Sequence, residues 1–100
     1  MRVHISTKDV LLTPDVKTAI QNKLVRKINK FFARYDDDSV NLNLFLIKKE
    51  RFGFNVKSRL DIPGRNIHAQ KTHKELLYAI TALASELTNR LRKKKEKTLN

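Results

Sequence analysis

A chain of 100 residues without Cys fits one domain held by packing alone, and its 40% hydrophobic content is enough for one modest core and too much for a disordered tail. Lys and Arg number 22 against 10 Asp and Glu, a formal net charge of +12, which points away from basic partners and toward polyanions, nucleic acid ahead of an anionic membrane surface. No apolar run approaches the roughly 20 residues of a membrane span, and the alternating Met1-Arg2-Val3-His4-Ile5-Ser6 lacks the apolar stretch of a secretory signal, so a soluble, intracellular protein is expected.

Arg2 to Ser6 alternates and reads as a short strand. Thr13-Pro14 then opens a helix: Thr caps the free amides, and Pro is tolerated where no intrahelical bond is lost. Val16, Ile20, Leu24, Ile28, Phe31 and Tyr35 follow every three or four residues as its apolar face, until Asp36-Asp37-Asp38-Ser39 breaks the run. Val40, Leu42, Leu44 and Leu46 alternate with polar positions and with Phe45 in a half-buried strand. After a polar turn at Lys48 to Arg51, Phe52, Phe54, Val56, Ser58 and Leu60 alternate again. Pro63-Gly64 makes the next turn, and Asn66 to Thr72 is a weaker strand. Thr72-His73-Lys74-Glu75 has the form of a capping box, with Leu76, Ile80, Leu83, Leu87 and Leu91 as the inward face of a second long helix.

The order is β-α-β-β-β-α. Three tandem strands with short turns make an antiparallel meander, and a strand that reaches it through a helix pairs in parallel by a right-handed crossover. The expected fold is α+β, a two-layer sandwich of a four-stranded sheet with two helices on one face. The other face would carry Arg2, His4, Asn41, Asn43, Lys57, Arg59, His68 and Gln70, with the apolar Phe45 among them.

Residues that would support catalysis or a bound metal are scarce. The two Gly, Gly53 and Gly64, form no phosphate loop, and His4, His68 and His73 have no metal-ligand spacing. Asp36-Asp37-Asp38 reads as a helix stop rather than a cation site. No enzyme and no cofactor is expected.

The cations are better organised. Lys23, Arg26, Lys27, Lys30 and Arg34 fall at offsets of three, four, seven and eleven, a stripe opposite the apolar face. On the second helix the charge is deferred to the end: Arg90, Arg92, Lys93, Lys94, Lys95 and Lys97, more than a helix dipole rewards. Two basic rods on one side of a sheet would straddle a groove of folded RNA, holding phosphates by shape and charge with little base readout. A general structured-RNA module and a protein-binding transcription regulator fit the same composition.

Several stretches, taken in order, resemble the ribosome hibernation promoting factors, including the ribosome-associated inhibitor type. They are Ile5-Ser6-Thr7-Lys8, Leu12-Thr13-Pro14, Phe31-Phe32-x-Arg34, Leu60-x-Ile62-Pro63-Gly64-x-x-Ile67-His68-Ala69, Leu77-Tyr78-Ala79-Ile80, and Leu87-x-x-x-Leu91-Arg92-Lys93-x-Lys95-Glu96-Lys97. The resemblance implies a fold related in shape to double-stranded-RNA-binding domains. It implies a bacterial cytoplasmic protein that binds the ribosome, on small-subunit rRNA at the tRNA and mRNA channel, and inhibits translation to preserve idle ribosomes in stationary phase and stress. Residues 1–97 would form the single ribosome-binding domain and 98–100 a short tail. The chain stops just after the second helix, as in the short type, which pairs ribosomes together with a separate ribosome modulation factor. Departures from the family pattern fall at Glu86 and Asn89, where relatives carry Lys and Arg, and at Thr81, where Asp is usual. The first helix is one residue longer between Thr13-Pro14 and Phe31-Phe32.

Overall fold

The computed structural model describes the backbone of residues 1–51 and 53–99, and side chains as far as Lys93 apart from that of residue 52. Four strands, β1 (Arg2–Lys8), β2 (Asn41–Lys49), β3 (Gly53–Ile62) and β4 (Arg65–His73), lie in the sheet order β1-β2-β3-β4. β1 runs parallel to β2, and the other two pairs are antiparallel, as the alternation and turns predict. Ile62 pairs with Arg65 across Pro63-Gly64, and the Gly64 φ of +87° suits the third position of a type II turn, near +80°. Both helices pack on one face of the sheet.

The first helix begins where its cap requires. Thr13 is extended, its hydroxyl accepts the Val16 N–H at 3.2 Å, and Pro14 takes the first helical position. The helix then changes pitch: α over Pro14–Ile20, a π turn over Gln21–Val25, α over Arg26–Asn29 and a 3-10 end over Lys30–Phe32. The side chains it buries explain this. Ile20, Leu24, Ile28 and Phe32 all reach the core, each four residues after the last. Three α-helical turns use about 10.8 residues, so those twelve steps leave about one residue over. The π turn, closed by the Arg26 N–H on the Gln21 carbonyl, takes it up.

That change of pitch corrects the expected apolar face. Phe32, not Phe31, enters the core; Phe31 is half-buried; Tyr35 is exposed, its ring edge-on to Phe32 at 5.5 Å. The second helix, Leu76–Leu99, also starts later than the capping box suggests. Thr72 stays in β4, where its hydroxyl accepts from Asn55 at 2.8 Å. His73 Nδ1 accepts the Glu75 N–H instead, at 3.0 Å.

The core is one apolar layer. Leu42, Leu44, Leu46, Val56 and Leu60 from the sheet meet Ile20, Leu24 and Ile28 from one helix and Ile80, Leu83 and Leu87 from the other. Each of these is at most 2% exposed. Burying such side chains is worth about 1.5–3 kcal/mol apiece, so this layer sets the helix positions firmly. β1 contributes only the half-buried Val3 and Ile5.

Candidate nucleic-acid interface

At the 3-10 end of the first helix, the two helices and the β3–β4 turn enclose an open groove of about 1100 Å³. One wall carries Lys27, Lys30 and Arg34, at offsets of three and seven. The facing wall carries Ser85, Thr88, Asn89 and Arg92, again one helix face. Phe31, Phe32 and Leu91 line the space between, and Ile62, Pro63 and Arg65 close one end, with Tyr35 beside them.

Among the described residues the groove is therefore lined by Lys27, Lys30, Arg34, Arg65 and Arg92, and by no carboxylate. None of these five makes an ion pair among the described residues. Three carboxylates pair elsewhere: Asp37 holds the Met1 amino group at 3.1 Å, Asp38 the Arg2 guanidinium at 2.8 Å, and Asp61 that of Arg59. Five like charges around one concavity repel each other and focus a positive potential into it. A polyanion relieves that repulsion, and hydroxyl and amide groups at Ser85, Thr88 and Asn89 add hydrogen-bonding capacity for phosphate or sugar.

Of the first-helix stripe, Lys23 and Arg26 are exposed on the same rod but do not line the groove. Lys93 is exposed, and the side chains of Lys94, Lys95 and Lys97 lie outside the described residues. Arg90 is placed differently from its neighbour Arg92. Two residues apart on a helix means about 200° of rotation, so the two point to different sides. Arg90 Nε donates to Glu86 at 2.9 Å, and its Nη1 donates to the His68 carbonyl on edge strand β4. Lys71 reaches the same carboxylate at 3.8 Å. The Arg90 hydrogen bond, aided by the Lys71 charge, holds the Glu86 carboxyl below its usual value of 4.5. Glu86 thus clips the second helix to the sheet edge.

Arg65 escaped the sequence reading, because a single cation after a turn has no periodicity to mark it. Its adjacency to Pro63-Gly64 was the available signal, since that turn must lie at the end of the sheet nearest the groove.

Comparisons with known proteins bear on the fold and the family. The family model described as Sigma 54 modulation protein / S30EA ribosomal protein matches residues 3–99. A ribosome hibernation promoting factor of Pseudomonas putida is 33% identical over 97 residues, covering 97% of this chain and 89% of that protein. Among solved structures, a ribosomal subunit interface protein from Coxiella burnetii superposes with a TM-score of 0.73 at 18% identity, over 96% of this chain and 99% of that one. The N-terminal domain of Thermus thermophilus Protein Y gives the same TM-score at 15% identity, over 93% and 98%. With the family model spanning nearly the whole sequence and the fold shared by these structures, the chain belongs to the Sigma 54 modulation protein / S30EA ribosomal protein family, the family of the ribosome hibernation promoting factors.

Proposed function

We propose that this protein silences translation by seating its inter-helix groove on small-subunit rRNA, its folded body filling the channel that tRNA and mRNA would use. The observation that carries the reading is the groove of five cations, with no carboxylate among the described residues that line it. The mechanism needs no covalent step. Lys27, Lys30 and Arg34 on one wall and Arg92 on the other hold phosphates, Arg65 closes the end, and exclusion does the rest. Lys23, Arg26 and Lys93 extend the basic track along both rods. In the bacterial cytoplasm such a plug protects idle ribosomes in stationary phase, and with a ribosome modulation factor on the same particle it favours ribosome pairs.

Sedimentation of purified ribosomes through sucrose with and without the protein tests this. Co-migration with small subunits or whole ribosomes, lost at high salt, is expected, and a new heavier peak on adding the modulation factor would assign the pairing role. Protein left at the top of a low-salt gradient would overturn the reading.

A further inference from the structure

On the side of the molecule away from the helices, the sheet is uncovered. At its middle stands Phe45, 48% exposed, with Ser6 beside it on β1 and Lys57 directly opposite on β3. Across the antiparallel β2–β3 pair directly opposed residues hold their Cβ atoms about 4.5–5.5 Å apart, so Lys57 flanks the ring, and on the parallel β1 side Lys8 stands on the same face, two residues beyond Ser6 and opposite Ile47. Lys8 and Lys57 make no ion pair among the described residues. The carboxylate on this face, Asp61, is already held by Arg59 and accepts from Asn43 at 3.1 Å.

An apolar protein partner would call for a larger contiguous apolar patch, whereas the ring's one apolar neighbour along β2 on this face is the half-buried Ile47, and hydrogen-bonding side chains flank the two across the strands. A flat aromatic face between cations is what an unpaired base and its flanking phosphates require. We propose that the open sheet face is a second RNA-binding surface, taking a single-stranded segment with one base stacked on Phe45 and phosphates at Lys8 and Lys57. The molecule's shortest dimension is 20 Å, so helices and sheet would touch opposite RNA walls at once. That consequence rests on the channel reading; the binding itself does not.

The chain has no Trp, so Phe45→Trp places a single reporter on the face. Saturable quenching of its fluorescence by a single-stranded oligouridylate, and not by an RNA duplex of equal length, is expected. Its affinity should fall with salt at a log–log slope near −1.4, about −0.7 for each of two phosphates. Phe45→Ser, which removes only an exposed ring, should weaken oligouridylate binding at least about fivefold, the lower end of base–aromatic stacking, at unchanged melting temperature. Quenching should persist in a Phe45→Trp chain that also carries Lys30→Gln, Arg34→Gln and Arg92→Gln. Absent quenching, equal quenching by duplex, or loss of quenching with the groove substitutions would each overturn the second surface. A fluorescence change that follows protein concentration without RNA would overturn it in favour of self-association. Ribosome sedimentation is read separately, so either proposal can fail alone.

Discussion

Gly53 and Gly64 both hold positive φ, +82° and +87°, yet only one is confined. A Cβ at Gly64 would meet nothing within 4 Å, whereas at Gly53 it would collide with the backbone of His73 and Lys74, where β4 runs into the second helix. Gly64→Ala should therefore cost about 1 kcal/mol from backbone strain, and Gly53→Ala at least about 3 kcal/mol, measured as shifts in urea midpoint. Neighbouring Arg residues divide in the same way. Arg92→Gln should weaken ribosome binding with little change in stability, while Arg90→Gln should lower the melting temperature and leave binding nearly intact. Glu86 adds a pH signature. Its folded-state pKa is depressed, so its contribution is present above about 4.5 and fades as pH falls through the lower folded value. Glu86→Gln should flatten that part of the acid limb in thermal melts. From sequence, the run from Arg90 to Lys97 looked like a single basic cluster. Helical geometry separates adjacent members of such a run, and Arg90 met a carboxylate one turn back that only the fold showed to be clipped to β4 as well.

At the scale of elements, alternation and helical spacing made every strand and both helices legible, because each element buries one face and the pattern records it. The misreadings came where a spacing admits two pitches. The steps from Ile20 to Phe32 fit neither a regular α-helix nor a regular π-helix, and a choice between Phe31 and Phe32 needed the π turn to be known. One residue beyond whole α-helical turns is what such a turn accommodates, leaving both ends of the helix in register. Deleting the exposed Asn22 should convert the core spacing of four, eight and twelve into three, seven and eleven, which a regular helix presents on one face. That variant should keep a cooperative melt and native far-ultraviolet dichroism. Inserting Ala after Asn22 should abolish the melt, since no regular pitch returns Leu24, Ile28 and Phe32 to the core. The capping box misled for a related reason: Thr72 is within bonding reach of Asn55 on β3, a partner far away in sequence.

At the scale of the whole molecule, topology follows from the order of elements, but the groove does not follow from any one of them. Its cations come from residues 27–34, from Arg65 and from Arg92, so charge totals flagged a polyanion partner without showing where the charges meet. If about six phosphates are neutralised on the ribosome, log affinity should fall against log salt with a slope near −5. A flat response would remove electrostatics from the mechanism.

The gathering of those five cations also makes folding and binding respond to ions in opposite senses. In the free protein, added salt screens their mutual repulsion, so the melting temperature should rise with ionic strength. With a polyanion bound only to the folded state, melting is raised by linkage, and salt lowers it by driving the ligand away. The two melting curves should approach each other as salt increases, and the concentration at which they merge marks where the groove's charge is worth as much to simple electrolyte as to RNA.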